Sequence, residues 1–389
     1  MNPTQRSAPA PAVPLLDIGR GNRSIRDEVL RAWEEVYDSG RFLFGPAVER
    51  LERAVADLSG TRHAIGCASG SDAILLALMA IDVGPGDEVI VPSFTFFATA
   101  SAVWRLGAKP IFVDIDPKTF NVHPDLVEQA ITSETRAIIP VHLFGQCAPM
   151  DVLADIAQTH GIALIEDAAQ AIGAAWHDRP AGSWGLAGCL SFYPTKNLGG
   201  AGDGGMLTTN DDALADRLRR LASHGMRPRY YHRDVGINSR LDTLQAALLE
   251  VKLRRLDAWT ESRRVNAHRY GELMEHAGAA DWIEVPFESP NARHVWNQYT
   301  IRVRGGRRDA LRQWLAERGV GSEIYYPVPL HLQECFRPLG YQRGDLPATE
   351  LAADEVLSLP IFPELSDQEI QTVVRAVAAF GSRGLSAAA

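Results

Sequence analysis

From about residue 60 to residue 167 the chain repeats one unit: a short apolar run, a turn, then a helical pattern. “HAIGCASG” reads as a strand entering a Ser/Gly turn, and “SDAILLALMAI” as a helix with Ser71 and Asp72 at its start. “DEVIVP”, “KPIFVDID”, “RAIIPVHLFG” and “IALIED” read as further strands, separated by the helical stretches “FATASAVWRLG”, “HPDLVEQAI” and “MDVLADIAQTHG”. Strands joined by helical crossovers run parallel and are covered on both faces, so an α/β fold with a largely parallel, helix-covered sheet follows. In such sheets ligands bind beyond the carboxyl ends of the strands, and the residues just after each strand carry the functional information.

After Asp167 the alternation weakens. “GCLSFYP” and “GGMLTTN” read as strands, “LADRLRRLASHG” as a helix, and a long helical pattern runs from Leu241 to about Leu273 with Leu241, Leu244, Leu248 and Val251 on one stripe. “NQYTIRVRG”, “DALRQWLAERG”, “SEIYYPVPL” and a last helix after Pro363 suggest a smaller α+β domain. The expected organisation is a disordered arm over 1–14, a large domain over 15–270 that includes the long helix, and a small domain over 271–389.

The chain has 389 residues, 46% hydrophobic and 22% charged, with a net charge of −9. An acidic chain with no basic run is a poor nucleic-acid binder. It shows no secretory signal and no apolar run long enough for a transmembrane helix, and its four cysteines form no C-x-x-C pair. A cytoplasmic protein with reduced thiols is expected.

Gly200, Gly202 and Gly205 in “SFYPTKNLGGAGDGG” have the G-x-G-x-x-G spacing of dinucleotide-binding loops. That loop must open a helix, whereas here the glycines run into the strand-like “MLTTN”, so a nicotinamide or flavin oxidoreductase is disfavoured. No G-x-S-x-G elbow, phosphate-binding P-loop or H-E-x-x-H is present, and His123, His142, His160 and His224 lack metal-ligand spacing.

A set of strand-end residues remains. Asp167 ends an apolar strand, with Gln170 three positions on. Ser69, Gly70, Ser71 and Asp72 make a strand-to-helix turn whose free N–H groups suit a phosphate. Phe94, Phe96 and Phe97 lie just past a strand end, and Ser191 precedes Lys196 by five positions. Singly, each has a plainer role as a cap, an ion-pair partner or core. Together they serve a phosphate, a flat ring, a basic ring nitrogen and an aldehyde, which are the parts of pyridoxal 5′-phosphate.

These residues sit in “ASGSDA”, “GPGDEVIVPSFTFFATA”, “VHLFGQ”, “IEDAAQAIGA”, “SFYPTKNLGGAGDGG”, “GINSRLDTLQAALL” and “YYPVPLHLQ”. With these motifs, spread from about residue 15 to 375, the chain resembles the DegT/DnrJ-type sugar-nucleotide aminotransferases, within the aspartate-aminotransferase (fold type I) class of pyridoxal-phosphate enzymes. The resemblance implies a three-layer α/β/α large domain with a mainly parallel sheet and a smaller C-terminal α+β domain. It implies that Lys196 bonds the cofactor's aldehyde and acts with Asp167, which pairs with the pyridine nitrogen. Gln170 would face the ring hydroxyl and Phe96 would stack on the ring. Gly70, the main-chain N–H groups of Ser71 and Asp72, and Ser191 would hold the phosphate. Asn238 would reach the phosphate in the neighbouring subunit, which implies a homodimer with shared sites, and Arg229, Tyr230, Tyr325 and Tyr326 are candidate substrate contacts. No metal is implied.

The chain departs from the family pattern at Tyr325-Tyr326-Pro327, where relatives often carry His-Tyr-Pro, and at Gly185-Leu186, where they often carry Gly-Asp. Relatives that dehydrate sugars have His in place of the lysine, so Lys196 favours transamination. The implied activity is amino transfer, with glutamate as the expected donor, to a nucleotide-linked keto sugar. “VHLFGQ” followed by “APMD” points to the 3-keto rather than the 4-keto branch. The alternative is a catalytically silent or regulatory protein on the same fold.

Overall fold

The structure, a computed structural model, describes residues 12–386, with no description of side chains beyond residue 381. Seven strands form the central sheet: β1 (His63–Cys67), β2 (Glu88–Pro92), β3 (Lys109–Val113), β4 (Thr135–Ile138), β5 (Ala163–Asp167), β6 (Ala187–Ser191) and β7 (Gly205–Thr209). Their order is β1-β7-β6-β5-β4-β2-β3. Only β7 is antiparallel to its neighbours, so the other six strands deliver their carboxyl ends to one edge.

The helices are α1 (Ile18–Ser39), α2 (Pro46–Ser59), α3 (Gly70–Ala80), α4 (Ala98–Arg105), α5 (Pro124–Gln129), α6 (Met150–His160), α7 (Asp212–Leu221), α8 (Thr243–Leu253), α9 (Leu256–His276), α10 (Arg308–Glu317), α11 (Pro347–Glu355) and α12 (Asp367–Ser386). The strands are apolar on both faces because helices cover both. Val89, Val91, Ile165 and Leu207 pack toward α3, α4 and α7. Ile90, Ile138, Leu164 and Met206 point the other way, into a core shared with α2, α6 and α8. The period-2 alternation of a strand thus fills two cores at once.

A second, three-stranded antiparallel sheet joins β8 (Ile283–Glu284), β9 (Tyr299–Val303) and β10 (Val356–Leu359). It shares a core with α9, α10 and α12 through Tyr270, Leu311, Leu315, Val373 and Val377. The expected α/β architecture with an additional α+β unit is what the chain adopts.

Two expectations need correction. The long helix from Leu241 is two helices, α8 and α9, parted at Arg254-Arg255. Neither Gly nor Pro marks the break. It follows from packing, since α8 lies against α1 and α2 whereas α9 turns to meet α12. “SEIYYPVPL” contributes a single bridge to the small sheet, Glu323 to Ser358. Of the N-terminal arm expected over 1–14, residues 1–11 lie outside the described residues. In the described remainder Val13 is not disordered but buried, its N–H donating to the Gly319 carbonyl at 2.9 Å.

Candidate active site

The strand ends that the sequence singled out converge. Asp167, the last residue of β5, is 4% exposed. Its Oδ2 accepts from Thr99 Oγ1 at 2.7 Å and its Oδ1 from the Ala169 N–H at 3.2 Å. Among the described residues it has no salt-bridge partner within 4 Å. Burial holds its pKa above the usual carboxylate value, and Thr99, Ala169, Lys196 and His142 pull the other way. A buried carboxylate in this state is costly unless a cation meets it.

Lys196 supplies the opposing group. It sits on the turn after β6, closed by Lys196 N–H to Tyr193 O at 2.9 Å and Gly200 N–H to Phe192 O at 2.7 Å. A Cβ at Gly199 would lie 2.3 Å from the Pro194 carbonyl oxygen, so the loop closes only because that side chain is absent. The residue as a whole is half-buried, and burial of its amine end lowers the pKa to about 8, with Asp167 acting in the opposite direction.

Beside them the phosphate end takes shape. Helix α3 begins at Gly70 with Ser69 as its cap. A Cβ on Gly70 would stand 2.7 Å from Ser191 Cβ and 3.1 Å from Ser191 Oγ, so the missing side chain lets the helix start sit directly against Ser191. The first-turn N–H groups of a helix have no acceptor within it and carry its positive end. Of those expected to bind, Asp72 N–H already donates to Ser69 Oγ at 3.1 Å, which leaves Gly70 and Ser71 as the amides next to Ser191. The Asp72 carboxylate instead accepts from Ser239 Oγ at 2.7 Å.

Aromatic residues close the other side. Phe96 is 55% exposed and stands 6.1 Å from the Tyr326 ring. Tyr326 Oη accepts from Gln170 Nε2 at 3.1 Å, and Gln170 Oε1 accepts from the Phe144 N–H at 2.6 Å. The Gln170 amide is therefore oriented by two protein partners. Tyr325, half-buried, packs against Tyr326 at 5.8 Å.

Other candidates make no contact with this cluster's side chains among the described residues, although Asn238 adjoins Ser239, which bonds to Asp72. Arg229, Tyr230 and Asn238 are exposed, with Arg229 over the Tyr230 ring at 4.9 Å. Among the described residues, no contact joins them to Lys196.

Sequence reasoning missed Thr99 and a buried pair behind Asp167. His142 Nε2 lies 3.0 Å from Glu166 Oε2, both fully buried, and the Glu166 carboxylate also accepts from the N–H groups of Gly182, Trp184 and Gly185 at 2.7–2.9 Å. His142 Nδ1 accepts from Ala148 N–H, so Nε2 carries the proton. His142 N–H in turn donates to the Asp167 carbonyl at 3.0 Å. No described group of three or more His, Cys, Asp or Glu could hold a metal.

The donor set fits pyridoxal phosphate. It offers an amine, a buried carboxylate lacking a cation, and a small-residue cradle at a helix start. The DegT/DnrJ/EryC1/StrS aminotransferase family matches residues 23–378. The chain belongs to that family. A pleiotropic regulatory protein of Geobacillus stearothermophilus is 52% identical, over 95% of this chain and 98% of its own. A UDP-N-acetyl-3-dehydro-alpha-D-glucosamine 3-aminotransferase of Acidithiobacillus ferrooxidans is 44% identical, over 94% and 97%. The crystal structure of DesV from S. venezuelae superposes with a TM-score of 0.92 at 43% identity, over 95% of this chain and 99% of that one. As a DegT/DnrJ/EryC1/StrS family member, the protein is a pyridoxal-phosphate-dependent aminotransferase. No described helix is long and apolar enough to cross a membrane.

Proposed function

We propose that this aminotransferase moves an amino group from glutamate to a nucleotide-linked 3-keto sugar, in a homodimer with shared sites. The observation that carries the catalytic reading is the buried Asp167 carboxylate, free of any salt-bridge partner among the described residues, within electrostatic reach of a Lys196 amine whose pKa is lowered to about 8. The 3-keto assignment draws support from the name of the Acidithiobacillus relative and from “VHLFGQ” followed by “APMD”.

Pyridoxal phosphate, when bound, supplies an aldehyde that accepts the amino group and a ring that draws negative charge from the substrate carbon. Asp167 holds a proton at the ring nitrogen, and that cation in contact lowers the carboxylate's raised pKa. Lys196 Nζ takes the α-proton of the amino donor, work for which a neutral amine near pH 8 is suited. With the keto sugar in place, the same nitrogen delivers a proton to the sugar carbon that gains the amine. Gly70 and Ser71 N–H groups and Ser191 Oγ hold the phosphate, Phe96 covers the ring, and Gln170 orients its hydroxyl side. Asn238 of the partner subunit completes the phosphate site. Arg229 and Tyr230 reach the partner's substrate, while Tyr325 and Tyr326 line the substrate side. The high exposure of Tyr230, Tyr231 and Val235, at 74%, 70% and 93%, accords with a second copy covering this loop.

A regulatory reading is carried by the Geobacillus relative's name. The two separate in one assay. Purified holoprotein is mixed with glutamate and then with a panel of 3-keto and 4-keto sugar nucleotides, and products are identified by mass and NMR. The proposal predicts 2-oxoglutarate release and a 3-amino sugar; holoprotein inert to glutamate and to every sugar would favour the regulatory reading.

A further inference from the structure

A third buried polar cluster lies outside the cofactor cradle. Ser93, His331 and Glu350 form a chain across the molecule: Ser93 Oγ lies 2.7 Å from His331 Nδ1, and His331 Nε2 lies 3.2 Å from Glu350 Oε1. Ser93 and His331 are 0% and 1% exposed, so the cluster meets no substrate. The roles are fixed by the surrounding bonds. His331 N–H donates to Ser93 Oγ at 3.1 Å; the Glu350 carboxylate can only accept, so in the neutral ring the proton sits on Nε2 and Nδ1 accepts from the Ser93 hydroxyl. Nε2 then carries the ring proton and donates to Glu350, whose Oε1 also accepts from Gly344 N–H at 2.7 Å.

Each end belongs to an arm of the active site. Ser93 follows β2 and starts the segment that carries Phe96 and, in the first turn of α4, Thr99, the donor to Asp167. His331 lies five residues beyond Tyr326, whose hydroxyl meets Gln170. The backbones join at the same place, Leu330 N–H donating to Ser93 O at 2.9 Å. At the far ends the arms touch again, with Tyr326 6.3 Å from Phe94 and 6.1 Å from Phe96. The third anchor is fixed as well. Glu350 lies on α11, whose first turn is tied to the end of β3 by Asp114, which accepts from Ala348 and Thr349 N–H at 2.9 and 2.7 Å.

We propose that His331 is a positioning residue: through Ser93 on one side and Glu350 on the other, it sets the spacing between the Phe96–Thr99 arm and the Tyr326 arm, and so the width of the slot that receives the pyridoxal ring. Packing alone would not require a fixed ring tautomer with a donor on one side and an acceptor on the other. A slot set this way binds its flat ligand tightly because the arms need no reordering on binding.

This inference rests on the cofactor site described above. The test is titration of the apoprotein with pyridoxal phosphate, with circular dichroism of the bound cofactor in the visible range and thermal denaturation alongside. Ser93→Ala removes one oxygen, His331→Gln retains a donor toward Glu350, and His331→Asn retains an acceptor toward Ser93. Ser93→Ala and His331→Gln are expected to weaken cofactor affinity about tenfold and to change the dichroism, the loss of the buried Ser93–His331 side-chain bond read as affinity, with Ser93→Ala also leaving His331 N–H without its acceptor. His331→Asn, which keeps the Ser93 link and loses only the Glu350 anchor, is expected to weaken affinity less than His331→Gln, and Ser93→Ala/His331→Gln to be no worse than Ser93→Ala alone, because both cut the same side-chain link. Variants that bind the cofactor with wild-type affinity and dichroism, or Asn and Gln variants impaired equally and in step with lost thermal stability, overturn the proposal. Wild-type protein that fails to bind the cofactor speaks against the site itself.

Discussion

Lys196 and Asp167 set each other's charge. Burial lowers the Lys196 pKa to about 8 while the Asp167 carboxylate pushes it up. Capture of pyridoxal phosphate needs the neutral amine, so its rate in the apoprotein should climb about tenfold per pH unit below about 8 and level off above it. Asp167→Asn removes the charge that favours the ammonium form, so the break in the profile moves to lower pH. A break that stays put would separate the two groups. Thr99 is the more easily missed partner. Thr99→Val deletes the 2.7 Å bond to Asp167 Oδ2 and should reduce kcat several-fold with little change in KM for glutamate, since the carboxylate loses one of its two protein donors. Lys196, Asp167 and Ser191 were legible because strand ends announce themselves as breaks in apolar runs. Thr99 and Glu166 were not. Their roles depend on partners distant in sequence, Asp167 for Thr99 and the loop after Trp176 for Glu166, and a threonine in “FFATAS” gives no local sign of what it will face.

At the level of elements, the parallel strands were readable for the same reason that they are buried: helices on both faces demand near-continuous apolar runs. The break between α8 and α9 was not, because neither Gly nor Pro marks it and only the change of packing partner turns the chain. The start of α3 was placed close to its true position, and its detail matters. Gly70 is the first helical residue, and its bare backbone meets Ser191. Gly70→Ala puts a methyl 2.7 Å from Ser191 Cβ and must drive the helix start away from it. Since alanine otherwise favours a helix, the predicted signature is selective: thermal stability within a few degrees of wild type, but pyridoxal-phosphate affinity down at least about tenfold. Equal affinity for the two proteins would remove this helix start from the phosphate site.

Across the whole molecule, Arg20 near the start of α1 grips Glu369 on α12 with two bonds, of 2.9 and 2.7 Å, which hold the Glu369 pKa down to about 2. A carboxylate depressed on folding stabilises the native state above its unfolded pKa and loses that contribution as pH falls through its folded value. Glu369→Gln should therefore cost about 2 kcal/mol at pH 7, solvent screening of this partly exposed pair keeping it below the full shift, and next to nothing once the pH is below about 2, as read by denaturant unfolding at each pH. The proposed sharing of sites between subunits has its own test. Lys196→Ala and Asn238→Asp homodimers are each expected to be impaired. Hybrids made by mixing them contain one site with neither substitution, so activity should return on mixing. Within a single chain Asn238 and Tyr230 are simply exposed, so the expectation of sharing came from the resemblance carried by “GINSRLDTLQAALL” and not from any contact. The central claim, that Lys196 is the amine that takes up the cofactor, is tested most directly by reducing the holoprotein with borohydride and mapping the adduct by peptide mass. A pyridoxyl group on Lys196 alone is the predicted result; an adduct on another lysine such as Lys252, or none at all, would contradict it.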